Sequence, residues 1–189
     1  MSVTESVAAV LAIAYLVLAI RQNVWCWLAA FVSSLMFVAV FVGAKLYMQG
    51  VLNAFYCAMA VYGWYEWRAG GADHEGVRIN VWSATRHLAA LAVIVAVSAA
   101  FAAALRETDS VHPYLDSLTS VGAVVTTFMV ARKVLENWLY WFVIDALTLY
   151  LYAESRLYVA AALYGVYLVL VVVGFRQWFG DYRAERSHA

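Results

Sequence analysis

The chain has 189 residues, of which 66% are hydrophobic and 13% charged, and its formal net charge is zero. A soluble domain is usually about half apolar and about a quarter charged, so this composition excludes one. Zero net charge, with a short C-terminal "RAERSHA" of mixed sign, excludes an acidic or basic tail aimed at nucleic acid.

Seven apolar segments follow one another, at about 5–20, 25–43, 47–67, 85–105, 113–131, 137–153 and 157–179. Their lengths suit membrane-spanning helices of roughly 17–25 residues rather than the short alternating strands of a barrel. In hydrocarbon every backbone amide needs an internal partner, and a helix supplies it within one segment. The first segment has Glu5 where a signal peptide would carry Lys or Arg, so it is expected to be retained as a span. Cys26 and Cys57 fall in the second and third segments and read as small core residues. The longest polar stretch, "RAGGADHEGVRINV", separates the third and fourth segments, and Pro113 suits the first turn of the fifth. With the N-terminus outside, nine Lys and Arg fall in inner loops and three (Lys45, Arg106 and Arg156) in outer ones. That bias predicts an outer N-terminus and a cytoplasmic C-terminus.

A shift of 111 residues brings Arg21 onto Arg132, Trp27 onto Trp138, Phe31 onto Phe142, Leu46 onto Leu157, Tyr56 onto Tyr167, Gly63 onto Gly174 and Trp67 onto Trp178, without a gap. Lys45 meets Arg156. Apolar composition alone would align Val and Ala, not Trp, Tyr, Gly and Arg together. The expected fold is an all-α integral membrane protein of seven transmembrane helices in one membrane domain, 1–189. Repeat one covers 1–68, a linker helix 82–105, and repeat two 113–179. Three spans invert the chain and the fourth restores its direction, so the three-helix repeats should be parallel, a 3+1+3 SWEET-like plan. Such a plan can form a site between two similar bundles, which makes transport the leading functional reading.

In "NWLYWFVID" (137–145), Trp138, Trp141 and Asp145 lie at i, i+3 and i+7, on one stripe of a helix. The repeat counterpart carries Trp27, Phe31 and Ser34. An ionisable group inside a span is costly and usually faces a partner or a ligand. Aromatic faces with a carboxylate suit a flat cation. Trp138 can equally be an interfacial belt residue, Asp145 can pair structurally, and Ser34 can bond its own helix. Asn53 and Tyr56 share a face of the third segment at i, i+3, and Asn53 needs a hydrogen-bond partner in a helix or a ligand. Gly63 reads as a close helix contact, and Trp64 and Trp67 as belt residues. Ser33, Thr119, Ser120, Thr126 and Thr127 read as polar helix contacts. His74, His87, His112 and His188 show no metal-ligand spacing, and no nucleophile motif is present. An enzyme is not expected.

The segments "KLYMQGVLNAFYCAMAVYGWYEW" (45–67) and "ARKVLENWLYWFVIDALTLYLYAESRLYVAAALYGVYLVLVVVGFRQW" (131–178) resemble the PnuC family of bacterial vitamin transporters. The resemblance spans nearly the whole chain. It implies facilitated diffusion of an unphosphorylated vitamin, typically nicotinamide riboside, trapped by cytoplasmic phosphorylation. It also implies an inner-membrane location and a homotrimer, with no cofactor. Trp138 and Trp141 match the family's paired tryptophans. Asn53 stands where Gln is frequent, Asp145 where Asn is frequent, and Ser34 near another family Asn. With Tyr56, which shares the Asn53 face, these positions make up the expected substrate site: Trp138, Trp141, Asp145, Asn53, Tyr56 and Ser34. The departures leave the vitamin open: nicotinamide riboside and thiamine both carry a ring cation, whereas riboflavin is neutral and larger. A thiamine transporter and a seven-helix receptor without flux are the alternatives.

Overall fold

Among the described residues seven helices occupy the seven apolar segments: α1 (Val3–Ile20), α2 (Trp25–Gly43), α3 (Tyr47–Ala69), α4 (Ala84–Ala104), α5 (Pro113–Ala131), α6 (Asn137–Glu154) and α7 (Tyr158–Ser187). The computed structural model describes residues 3–43, 47–71, 74–104, 113–156 and 158–187. Lys45, Leu46, Arg106, His112, Leu157 and His188, used above in the charge count, the repeat and the histidine survey, lie outside the described residues, as does the side chain of Glu5.

Helix ends match the sequence reading to within two residues except at α7, which runs eight residues past 179. The extension continues because it holds no Pro and pairs cations with rings one turn back. Arg183 sits over Phe179 at 5.8 Å and Arg186 over Tyr182 at 5.7 Å. At 1.5 Å per residue the 30-residue helix is about 45 Å long, more than the roughly 30 Å of hydrocarbon.

Among the described residues four helical stretches are long and apolar enough to cross a membrane: α2, α4, α5 and Ala160–Ser187 of α7. α3 and α6 are diluted by polar groups, Asn53 and Glu66 in α3 and Asn137, Asp145 and Glu154 in α6, and α1 offers a shorter apolar run, Val10–Ile20. Burial is inverted relative to a soluble domain. Leu88, Leu91, Val93, Val95 and Phe101 of α4 are exposed, while Ile94, Ser98 and Ala102 form its buried stripe at four-residue steps. Ser98 donates to the Ser117 carbonyl at 3.3 Å. Thr119, Thr126, Thr127 and Thr148 are all buried. Their hydroxyls bond carbonyls in their own preceding turn, which adds no contact between helices.

The backbone forms two compact units: Met1–Ile79 with Ala131–Lys133, and Asn80–Val130 with Val134–Ala189. In the first, α1 packs on α2 and α2 on α3; in the second, α6 packs on α7. The 111-residue shift reappears in the local geometry of both. After α1, Asn23 N–H bonds the Leu18 carbonyl at 3.0 Å and Cys26 N–H the Asn23 carbonyl at 3.0 Å. After α5, Val134 bonds Met129 at 2.9 Å and Asn137 bonds Val134 at 3.1 Å. Each turn is closed by a left-handed residue at the same place, Gln22 with φ 53° and Lys133 with φ 47°.

The polar stretch 68–81 of the sequence reading is folded at both ends. Gly70 and Val77 N–H groups both bond the Glu66 carbonyl at 3.0 Å, closing the end of α3. Gly76 has φ 94°, and a Cβ there would lie 2.5 Å from the Trp67 carbonyl oxygen, so only glycine fits. In the second unit Leu135 N–H bonds the Asn80 carbonyl at 2.8 Å, within an isolated parallel bridge between Asn80 and Val134.

Candidate functional site

Each unit seats a tryptophan in a notch cut by a glycine. Trp27 is 2% exposed and meets Trp67 edge-on, with ring centroids 5.5 Å apart at 86°. Trp138 is 1% exposed and meets Trp178 at 5.4 Å and 88°. Gly63 faces the Trp27 ring, and Gly174 faces Trp138 so closely that a Cβ would fall 2.5 Å from the ring. Between apolar helices in lipid the association energy comes from such close packing rather than from water exclusion. Among the described residues neither indole N–H, at Trp27 or Trp138, has a hydrogen-bond partner.

Trp138 is therefore packed inside its own unit. Trp67, expected in an interfacial belt, is instead buried against Trp27, with Lys133 Nζ 4.8 Å from its ring centroid. A glycine-bearing partner helix draws these rings inward, a tertiary effect that depth along the helix does not reveal. Trp64 meets Trp25 edge-on at 5.3 Å. Cys26 is buried, and Cys57 is half-buried with its Sγ 3.8 Å from the Phe31 carbonyl.

Of the expected site residues, Trp138, Trp141 and Asp145 belong to the second unit and Ser34, Asn53 and Tyr56 to the first. Asp145 is 4% exposed, two turns into α6, while Trp141 is half-buried. Residues 113–131, 134–155 and 158–175 contain no Lys, Arg or His, so α5, α6 and the membrane part of α7 bring no cation to Asp145. Its electrostatic neighbour on α7 is Tyr167. In the first unit Ser34 is buried on α2, and Asn53 and Tyr56 are half-buried on α3.

Sequence reasoning missed the tyrosines of the second unit. Tyr152, Tyr164 and Tyr167 form a ladder from α6 to α7, with centroids 5.4 Å and 5.3 Å apart. The repeat held the signal, because Tyr164 and Tyr167 are the 111-shifted counterparts of Asn53 and Tyr56, as Asp145 is of Ser34.

A charged cluster closes each unit near the 131–137 turn. In the first, Arg132 donates to Glu66 Oε1 and the Tyr62 hydroxyl, both at 3.2 Å. The hydroxyl first, and Glu66 after burial is overcome, hold the guanidinium pKa above its usual value. In the second, Glu136 accepts from the Trp82 backbone N–H at 3.4 Å and lies 3.7 Å from His87 Nε2. His87 Nδ1 also lies 3.0 Å from the Tyr140 hydroxyl.

A family model described as nicotinamide mononucleotide transporter matches residues 2–180. The riboflavin/roseoflavin transporter RibM of Streptomyces davaonensis is 28% identical over 180 residues, covering 93% of this chain and 84% of that protein. The nicotinamide riboside transporter PnuC of Escherichia coli is 23% identical over 211 residues, covering 98% of this chain and 88% of its own length. The crystal structure of the vitamin B3 transporter PnuC superposes with a TM-score of 0.73 at 25% identity, covering 94% of this chain and 80% of that one. These relatives are transporters rather than enzymes. With its helices turned apolar side out and the match running almost end to end, the chain belongs to the nicotinamide mononucleotide transporter (PnuC) family of multi-pass membrane transporters.

Proposed function

We propose that this chain mediates facilitated uptake of an unphosphorylated, cationic B-vitamin, nicotinamide riboside, across the bacterial inner membrane. Asp145 carries this reading. A carboxylate 4% exposed, with no basic residue on α5, on α6 or on the membrane part of α7, needs a counter-charge. The permanent ring cation of the vitamin supplies one. Half-buried Trp141, one turn earlier, offers an aromatic face to the same ring. Trp138 backs that face from inside its notch, and Ser34, Asn53 and Tyr56 are the hydrogen-bonding groups of the first unit in the proposed set.

The 3+1+3 plan with parallel repeats belongs to this proposal. It is supported by the matching turns at Gln22 and Lys133 and the matching notches at Gly63 and Gly174. An outer N-terminus and cytoplasmic C-terminus are supported by the Lys and Arg bias between loops. A homotrimer is the assembly the family resemblance implies. Riboflavin is a second reading, favoured by the 28% identity to RibM; a neutral flavin leaves Asp145 without a counter-charge.

The test is uptake into proteoliposomes of labelled nicotinamide riboside, thiamine and riboflavin, compared side by side. Saturable entry of nicotinamide riboside is expected. Entry of riboflavin or thiamine alone would replace the substrate and keep the transporter. Binding of all three without entry would make the chain a receptor.

A further inference from the structure

We propose that the outer face of the C-terminal end of α7 is a binding surface for anionic phospholipids, whose headgroup phosphates are held by Arg176, Arg183 and Arg186. The inference concerns α7 alone and does not depend on which vitamin the protein carries.

α7 carries two stripes. The inner one runs through Val171, Gly174 and Trp178 at steps of three and four residues, the spacing of one helix face. Val171 and Trp178 are buried, and Gly174 and Trp178 receive Trp138 of α6. The outer stripe follows the same steps through Val169, Val172, Arg176, Phe179, Arg183 and Arg186, and all six are exposed. On a helix that crosses a membrane, exposed valines meet acyl chains. The same face, continued past them, has to leave the hydrocarbon and meet the headgroups.

The depths agree with that. Arg176 stands one turn past Val172, and Arg183 and Arg186 lie about 10 and about 15 Å further along the helix. The headgroup layer on one side of a bilayer is about 5–7 Å deep, so Arg176 enters it from the hydrocarbon side. Side chains on a helix lean toward its N-terminus, so Arg183 and Arg186 reach back toward the same layer. Arg183 lies back over the Phe179 ring at 5.8 Å, and Arg186 over Tyr182 at 5.7 Å. Phe179 in turn stacks on Phe175, with centroids 5.9 Å apart at 13°, and makes a firm platform. A ring beneath a guanidinium leaves its N–H edge open to fork onto a phosphate.

Charge is sorted between the stripes. Asp181 and Glu185 continue the inner one, again at steps of three and four, while the outer one holds three cations and no acid. Among the described residues no ion pair involves Arg176, Arg183 or Arg186; Arg186 donates to the Tyr182 hydroxyl at 3.0 Å. A solvated tail has no cause to separate its charges in this way, whereas an anionic bilayer surface attracts each arginine held near it. Continuity with the valine face makes the occupant a lipid rather than a soluble anion.

The test is native mass spectrometry of the purified protein in a neutral detergent, offered phosphatidylglycerol and phosphatidylcholine of the same acyl chains in equal amounts. The wild type should retain phosphatidylglycerol in preference. Arg176→Gln/Arg183→Gln should weaken that preference roughly fivefold for each arginine. Arg68→Gln/Arg86→Gln removes the same charge from exposed positions outside α7 and should keep it. Thermal unfolding shows whether the variants are folded. Equal retention of the two lipids by the wild type overturns the proposal without any variant. An unchanged preference in the α7 double variant also overturns it, as when a second copy of the chain covers this face. Equal loss in both double variants would make the effect one of net charge and overturn the site. Displacement of the lipid by excess inorganic phosphate would assign the arginines to a soluble anion instead.

Discussion

Gly174→Ala puts one methyl group where the Trp138 ring lies. The added carbon would sit 2.5, 2.6 and 2.7 Å from Cη2, Cζ3 and Cζ2 of that ring. Ordinary van der Waals contact begins near 3.4 Å, so ring and helix must part by about 1 Å. The ring has little freedom to yield, because it is 1% exposed and meets Trp178 edge-on. Overpacking of this kind costs about 1–3 kcal/mol, and the better helix propensity of Ala returns up to about 1 kcal/mol. The net loss is about 1–2 kcal/mol, which at about 2–4 °C per kcal/mol lowers Tm by several degrees. Trp138→Phe removes the outer ring that the methyl group meets. It also sacrifices no hydrogen bond, since the indole N–H has no partner among the described residues. The double variant should therefore be more stable than the sum of the single losses, with a coupling of about 1 kcal/mol. Gly180→Ala is the control, because nothing lies within 4 Å of a Cβ there. The assay is thermal unfolding of the four proteins in detergent. If Gly174→Ala is as harmless as Gly180→Ala, or if the double variant is simply additive, the notch does not hold the two helices as described.

Other outcomes follow from the charged clusters and turns. Glu66→Ala leaves Arg132 without its 3.2 Å carboxylate partner and should cost about 1–2 kcal/mol in the same melt; an unchanged Tm would show the pair to be ornamental. Glu136→Ala frees the Trp82 N–H and the His87 ring, so limited proteolysis should cut between residues 70 and 83 faster than in the wild type. Equal cutting rates would mean that Glu136 does not hold that stretch. Gln22→Val forces a β-branched side chain into φ 53°, where such residues are least tolerated, and should lower Tm, whereas a neutral result would place the strain elsewhere.

Much of the architecture was legible because a membrane imposes a coarse rule: a span must be a long apolar helix. All seven segments form helices, of which four stretches among the described residues are long and apolar enough to cross a membrane, and the 111-residue shift showed where identical turns would recur. What the sequence hid depends on single tertiary contacts. Trp67 looked like a belt residue because its distance from a helix end is visible and its encounter with Trp27 is not. The stretch 68–81 looked like a plain polar connection because its order comes from the Glu66 carbonyl, Glu136 and the bond from Leu135 to Asn80. The C-terminal turns of α7 looked like a tail because their mixed charges resemble solvated chain until each arginine is seen above its ring. At the candidate site, Asp145 stood out as a carboxylate among apolar residues, whereas Tyr164 and Tyr167 were lost among the 13 tyrosines of the chain.

The two tryptophan notches also limit how each unit can move. A ring seated opposite a glycine cannot slide along its partner helix. Trp67 and Trp178 already close one side of each ring, and one turn the other way stand Met59 and Leu170, whose side chains would meet it. Shear between α2 and α3, or between α6 and α7, is blocked in both directions. Each packed pair is therefore expected to move as one stiff piece, with any bending taken up by segments outside it.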